Sequence, residues 1–206
     1  MDDHAGYALL DCGDRRRLEA FGPLLVDRPA PGAPDPRRSP EGWTGAAVFH
    51  PGSGWWHADG TPLGDDPIVL DWCGVTLEIR PSPSGQVGVF PEHAVNLEWL
   101  ADAIRGRTAA IGATGATDTT DATDATDAGS ERPEVLNLFA YTGLATLVAV
   151  RAGAAVVHVD AARSSVQWAR RNTERSGLAE GPIRWITDDA LDFVRREARR
   201  GRRYAA

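Results

Sequence analysis

Cysteine is scarce in this sequence, and so are long apolar runs. The two cysteines, Cys12 and Cys73, are too few and too isolated for a disulfide framework or a cysteine metal site. No apolar run reaches the roughly 18 residues that a membrane-spanning helix requires. The first residues are acidic and lack the apolar core of a signal peptide. These absences predict a cytoplasmic protein with free thiols, no membrane span and no metal site.

An excess of positive charge is missing as well. The formal net charge is −7, which argues weakly against a simple basic nucleic-acid binder. Part of the negative charge lies in Thr-Asp-Ala repeats around 117–128, and arginine clusters remain at 15–17 and 195–203. Two interpretations stay open for these clusters. They contact RNA phosphates, or they are ordinary solvated surfaces of a turn and a helix, which is the more common case.

Glycine-rich phosphate loops are also absent, since the chain has neither a G-x-G-x-x-G triplet nor a P-loop Gly-Lys-Ser/Thr. Residues 135–160 instead read VLNLFAYTGLATLVAVRAGAAVVHVD. An apolar run leads to a turn with Gly143, a small-residue helix ends at Gly153, and a second apolar run ends on Asp160. This order predicts one βαβ unit of a parallel sheet that is covered on both faces.

The βαβ unit places two informative residues at one edge of the predicted sheet, where ligands of parallel sheets bind. Gly143 lies at the end of the first strand, where a missing Cβ lets a ligand approach the backbone. Asp160 lies at the end of the second strand, where a carboxylate can accept hydrogen bonds from ribose hydroxyls. A cofactor with ribose and adenine but no phosphate fits this turn best, and S-adenosylmethionine (SAM) is the common one. A plain βαβ unit with an acid in a loop is the alternative.

Three segments follow one another in the order found in a known family. They are NLFAYTG at 137–143, VVHVDAARSSVQWARRNTERSGL at 156–178 and IRWITDDALDFVRREARRGRRY at 183–204. They resemble the first motif, the second strand with its acid and helix, and the third strand with its Asp-Asp-Ala turn of class I SAM-dependent methyltransferases. The group is that of the ribosomal RNA large subunit methyltransferases (RlmI/RlmK-like). Residues 7–29 also resemble the N-terminal stretch of this group.

The resemblance implies a SAM site built from these three segments. Asp160, followed by Ala161, binds the ribose in this picture, and Asp189 with Ala190 holds the adenine edge. Asp189 equally suits the N-cap of the helix that starts at Ala190, and the two roles are compatible. The turn lines the methionine end of the cofactor, with these candidate residues: Asn137, Phe139, Tyr141, Thr142 and Gly143.

Composition divides the chain into three predicted parts. Residues 1–106 show short strand patterns separated by Gly, Pro and Asp turns, which predict a small β-rich domain with an antiparallel sheet. Residues 107–132 cannot bury enough apolar surface to fold, so a disordered linker is predicted. Residues 133–206 hold a partial Rossmann-like domain. In related methyltransferases a phenylalanine-containing turn borders the cofactor pocket, which adds Phe90 to the candidate site.

Four tryptophans fall in the β-rich part: Trp43, Trp55, Trp56 and Trp72. Aromatic faces can stack on unpaired RNA bases. They also form the cross-strand packing of a small sheet that has little other core. Packing is the favoured interpretation.

The expected fold class is α/β, the N-terminal half of a class I methyltransferase sheet preceded by a small β-rich (α+β) domain. The family continues with a fourth strand and an Asp-Pro-Pro motif that helps to position the methyl acceptor, and this sequence has neither. We therefore expect a truncated product that keeps the cofactor half of the site, with the strand at 135–139 as an unprotected edge. No catalytic residue can be assigned.

The function expected from these features is SAM-dependent methyl transfer, with RNA as the substrate. Two alternatives stay open, namely a catalytically incomplete fragment and a non-catalytic RNA-binding module that uses the tryptophans and arginines. An NAD-dependent oxidoreductase is disfavoured because the glycine pattern is wrong for a pyrophosphate.

Overall fold

A computed structural model describes residues 6–114 and 132–205 of the chain. It divides into two compact units, Met1–Pro91 and Glu92–Ala206. Within the described ranges, no helix is both long enough and apolar enough to cross a membrane.

The first unit is built from strands, as predicted. Five of them form one sheet in the order β1-β2-β3-β4-β5. Their bounds are β1 (Tyr7–Gly13), β2 (Arg16–Phe21), β3 (Leu24–Pro29), β4 (Ala47–His50) and β5 (Gly54–Trp56). A separate antiparallel pair follows, β6 (Ile68–Trp72) and β7 (Val75–Ile79). The predicted sheet is not wholly antiparallel, because β3 and β4 pair in parallel after a long connection that includes the 3₁₀ helix Pro40–Trp43.

The tryptophans of the first unit serve mainly as core. Trp43, Trp55 and Trp72 are 7%, 7% and 3% exposed, whereas Trp56 is half-buried. The indole Nε1 of Trp43 donates to the carboxylate of Asp11 at 2.9 Å, so its polar atom is satisfied inside the core. Burial of three of the four indoles supports packing over base stacking.

The second unit holds four helices and three strands within its described residues. Their bounds are α1 (Ala94–Thr114), β8 (Glu134–Leu138), α2 (Leu144–Arg151), β9 (Ala155–Asp160), α3 (Arg163–Arg175), β10 (Ile183–Thr187) and α4 (Ala190–Arg199). The predicted domain boundary at 106 falls inside α1, and residues 107–114 of the predicted linker are helical. The helix persists there because Ile104 anchors it in a cluster with Val135 and Val156. The rest of the predicted linker up to 131 lies outside the described residues.

The three strands of the second unit form a parallel sheet in the order β10-β9-β8. One face carries Val135 and Val156, which pack against Ala149 of α2 and Ile104 of α1. The other face carries Val157 and Val159, which pack against Phe193 of α4. Helices thus cover both faces, as the continuous apolar strands predicted.

Strand β8 is an outer strand of the described sheet, as expected. Its start is not bare, however, because the backbone N–H of Ala205 donates to the carbonyl of Glu134 at 2.7 Å. The guanidinium of Arg202 binds both carboxylate oxygens of Glu134 at 2.8 and 2.9 Å. The hydroxyl of Tyr204 donates to the carboxylate of Glu197 on α4. These contacts hold residues 202–205 against the first residue of β8 and against α4.

Candidate functional site

The carboxyl ends of the parallel strands bring the predicted site residues of the second unit to one rim. In the sheet register Leu138 is opposite Val159, and Asp160 is opposite Thr187. The backbone N–H of Asp188 donates to the carbonyl of Asp160 at 3.1 Å, which ties the loops after β9 and β10 together. Gly143, Asp160 and Asp189 therefore lie at neighbouring strand ends, as the sequence predicted.

The turn between β8 and α2 has an unusual backbone. Phe139 and Tyr141 have φ angles of 53° and 51°, in the left-handed region that bulky residues rarely adopt. Phe139 is 79% exposed although it is a large apolar side chain. Backbone bonds hold the turn, because Ala140 donates to the carbonyl of Val159 and Gly143 donates to that of Ala140, each at 3.0 Å. Strain of this kind costs of order 1–3 kcal/mol per residue and is concentrated at functional sites.

Gly143 is required by helix packing, a reason that the sequence did not predict. A Cβ at this position would lie 2.9 Å from the Cβ of Ala169 on α3, and the φ angle is 90°. The missing side chain therefore makes room for the packing of α3, and the approach of a ligand to this backbone stays a prediction. Thr142 is only 1% exposed, so its side chain also faces the interior. Both residues can offer a ligand little more than their backbone.

Asp160 is the most strongly positioned carboxylate of the rim. Its Oδ2 accepts the backbone N–H of Tyr141 at 2.8 Å, and its Oδ1 accepts that of Ala162 at 2.9 Å. One side chain thereby fixes both the turn after β8 and the loop after β9. Each oxygen keeps a second lone pair for another donor. Ala161, the next residue, is exposed.

Asp189 is the N-cap of α4. Its Oδ1 accepts the backbone N–H groups of Leu191 and Asp192 at 2.9 and 3.0 Å, which satisfies two donors of the first turn. Within the described chain no hydrogen bond occupies Oδ2, so this exposed oxygen is available to a ligand. Ala190 is 6% exposed, and its methyl group packs inward. The capping role is thus shown, and the adenine role stays a prediction.

Asn137 begins a column of buried polar groups that sequence reasoning missed. Its Nδ2 donates to Oγ1 of Thr146 on α2 at 2.8 Å, and that oxygen lies 2.9 Å from Nδ1 of His158 on β9. Thr146 and His158 are fully buried. Burial lowers the pKa of His158 to about 4, so the ring is neutral at pH 7. In the sequence, His158 is recognisable as a polar residue inside the otherwise apolar strand β9.

A second residue that the sequence analysis did not single out, Asn172, holds the turn between β8 and α2 in place. Asn172 of α3 is fully buried, and its Nδ2 donates to the backbone carbonyl of Thr142 at 2.9 Å. An amide inside an apolar helix face is costly unless it is bonded, so this bond fixes the turn against α3. In the sequence, Asn172 is recognisable as an amide on the same helix face as Val166, Ala169 and Thr173.

Two further predictions concern Phe90 and the possibility of a metal site. Phe90 lies in the first unit, half-buried and outside any strand or helix, and its place beside a cofactor pocket stays a prediction. Over residues 6–114 and 132–205, no group of three or more His, Cys, Asp or Glu side chains is arranged to hold a metal ion.

A parallel sheet covered by helices on both faces, with acids at the ends of its second and third strands, defines a Rossmann-like fold. No protein-family model matches the chain. Two curated relatives carry the name ribosomal RNA large subunit methyltransferase K/L. The chain is 42% identical to the one from Syntrophotalea carbinolica over 69 residues, which is 33% of this chain and 10% of that protein. It is 37% identical to the one from Shewanella frigidimarina over 129 residues, 62% of this chain and 14% of that protein.

Solved structures extend the likeness to nearly the whole chain. A SAM-dependent methyltransferase from Agrobacterium tumefaciens matches 98% of this chain at 35% identity, with a TM-score of 0.80. A protein assigned as a methyltransferase and solved with S-adenosylhomocysteine (SAH) has a TM-score of 0.67 at 15% identity over 97% of this chain, which shows the fold alone. This chain covers 59% of the first of these structures and 50% of the second. The resemblance inferred from the three motifs is confirmed: SAM-dependent methyltransferases are relatives of this chain.

Proposed function

We propose that this chain forms the cofactor-binding half of a SAM-dependent methyltransferase that acts on RNA. The observation that carries the proposal is Asp160. Its carboxylate is held by two backbone N–H groups at the end of the middle strand and retains acceptor capacity on both oxygens. A ribose presents two neighbouring hydroxyl donors, which suits a carboxylate whose direction is already fixed.

The turn after β8 favours a cofactor without phosphates. A pyrophosphate packs against glycine backbone at a helix N-terminus. Here Phe139 and Tyr141 occupy that turn, and the phenylalanine ring is exposed at the rim. We assign the turn residues Asn137, Phe139, Tyr141, Thr142 and Gly143 to the methionine end. We assign Asp189 and Ala190, with Ala161, to the nucleoside end, and Phe90 to the border of the pocket.

SAM, when bound, would supply a methyl group on a sulfonium sulfur: an acceptor nucleophile would bond to the methyl carbon while the carbon–sulfur bond breaks and SAH leaves as the thioether. The task of this chain's residues is then to hold the donor in one orientation. Asp160 orients the ribose, and the turn fixes where the methionine end lies relative to it. The names of the relatives support RNA as the acceptor, and ribosomal RNA chemistry supports a cytoplasmic location.

Equilibrium dialysis of the 206-residue chain with labelled SAM tests the proposal. We expect saturable binding that D160A weakens on the order of 1.5–3 kcal/mol, since charge-assisted hydrogen bonds are lost. The matched control is D102A, because Asp102 is an exposed carboxylate of α1 in the same unit. Thermal unfolding of both variants separates lost binding from lost structure. No binding by the unaltered, folded chain would end the proposal.

A further inference from the structure

A hydrogen-bonded column of neutral side chains crosses the interior of the second unit below the rim. Asn137 and His158 are register partners on adjacent strands, and Thr146 of α2 bonds to both. Thr146 and His158 have no exposed surface. The column therefore links a candidate cofactor-binding residue to a histidine that no solvent or ligand can reach.

The order of donors in this column matches one neutral tautomer of the imidazole. Oγ1 of Thr146 accepts from the amide of Asn137, and its own hydrogen can donate to Nδ1 of His158. In this arrangement Nδ1 accepts, and the neutral ring carries its proton on Nε2. That atom has no hydrogen-bond partner among the described residues. The ring packs against Trp185 on β10, with 4.7 Å between centroids.

We propose that His158 is a positioning residue that holds the amide of Asn137 in one orientation through Thr146. The inference rests on the proposed function, because it takes Asn137 to line the methionine end of the cofactor. In this orientation Nδ2 is turned to α2 and Oδ1 remains as an acceptor at the end of β8. A flipped amide would present two N–H donors there, and the ammonium group of a methionine moiety requires an acceptor.

Packing alone does not require this column. The neighbouring part of the same sheet face is filled by Val135, Val156 and Ala149. Buried polar groups cost desolvation that a single hydrogen bond barely offsets, so apolar residues would fill the space at least as well. The column is informative because it fixes the orientation of the Asn137 amide. That orientation matters because Asn137 is the member of the column nearest the rim.

The test compares three variants of the full chain in SAM binding by calorimetry and in urea unfolding. H158L removes the acceptor of Thr146, and we expect binding weakened about tenfold. H158N retains an acceptor close to the position of Nδ1 and should restore most of that affinity. The double variant T146V/H158L removes both groups of the buried Thr146–His158 bond and leaves only the half-buried amide of Asn137 without its partner. Its stability should therefore return part of the way to that of the unaltered chain. Its affinity should stay about tenfold weaker, because nothing then orients Asn137.

Two outcomes overturn the inference by itself. The first is a double variant that binds SAM as tightly as the unaltered chain, which would make the column purely structural. The second is nitrogen-15 NMR of His158 at pH 7 that shows a charged ring or a proton on Nδ1. Failure of the unaltered chain to bind SAM is a different result. It would overturn the proposed function and the role of Asn137 with it.

Discussion

The two units of this chain differ in the polar groups that they bury most deeply. In the β-rich unit the buried groups are charged, since Glu19 has no exposed surface, Arg28 is 3% exposed, and their atoms Oε2 and Nη2 are 2.7 Å apart. In the α/β unit the polar side chains with no exposed surface are neutral: Thr146, His158 and Asn172. Its buried acid Glu197, 3% exposed, is bonded by Tyr204 and Arg200 near the end of α4. The carboxylates Asp160 and Asp189 of that unit lie instead at the rim.

Buried ion pairs and buried neutral groups have different effects on a protein interior. A buried ion pair is stable only while both partners are present, because either charge alone is costly in the interior. Neutral groups such as Thr146 and Asn172 fix geometry through hydrogen bonds and add no charge below the rim. The α/β unit can therefore keep the charges of Asp160 and Asp189 for a ligand, whereas the β-rich unit uses its buried charges to hold its own sheet together.

The charged cluster of the first unit gives the largest expected effect. Glu19 accepts from Arg28 at 2.8 Å and from Tyr7 at 3.1 Å, and it also pairs with Arg17. E19Q leaves the Arg28 guanidinium buried without a counter-charge, and we expect a loss of about 3–5 kcal/mol in the free energy of unfolding. Urea unfolding followed by tryptophan fluorescence measures it.

The matched control for that variant is D14N in the same unit, where Asp14 pairs with Arg37 at an exposed position. Such surface pairs contribute little, so the control should unfold almost as the unaltered chain does. Equal losses in the two variants would show that burial does not govern the charged cluster, and the contrast between the units would fail.

The neutral column of the second unit predicts a pH dependence. The pKa of His158 is about 4 in the folded chain against an ordinary value of 6.5. The folded state thus disfavours the second proton of the imidazole. This contribution to the free energy of unfolding is therefore full above about pH 6.5 and is lost as the pH falls towards 4. The loss at the lower end is about 3 kcal/mol, from 1.36 kcal/mol per pKa unit. The difference in unfolding free energy between the unaltered chain and H158N, measured at each pH, isolates this term. A difference that does not change with pH would contradict it.

The turn beside the column provides a third test. G143A combines a positive φ with a Cβ only 2.9 Å from that of Ala169, and we expect it to lose about 2–4 kcal/mol. Gly177 is the matched control, since its φ is 67° and nothing lies within 4 Å of an added Cβ. G177A should lose about 1 kcal/mol, from backbone strain alone. If thermal unfolding gave equal losses, close packing on α3 would not be what requires Gly143.

The sequence predicted those parts of the fold whose signals are local. Strand β10 and helix α2 lie where apolar runs and flanking glycines put them, and the acids at the rim simply follow their strands. The continuation of α1 through 107–114 was missed, because Ala and Thr carry little pattern. That helix is anchored by Ile104 against residues far away in the chain.

The interior of the site could not be predicted for the same reason. The role of Gly143 depends on which helix residue packs above it, and that residue is Ala169. The parallel pairing of β3 with β4 likewise joins strands across a long loop. Only the polar exceptions, such as His158 in an apolar strand, left a trace in the sequence. Local patterns fix the rim, and tertiary contacts fix what lies beneath it.

The smallest expected effect separates the two roles of Asp189. D189A removes the N-cap of α4 and should cost about 1 kcal/mol in the free energy of unfolding. D189N keeps a side-chain oxygen for Leu191 and Asp192 and should unfold almost as the unaltered chain does, since Asn and Asp are comparable caps. Any weakening of SAM binding in D189N then reports the exposed charge at the rim rather than the helix. Binding that D189A weakens only as far as it destabilises the fold, and that D189N leaves intact, would make Asp189 a cap and nothing more. The carboxylates of the α/β unit would then divide, with Asp160 facing the ligand and Asp189 serving its own helix.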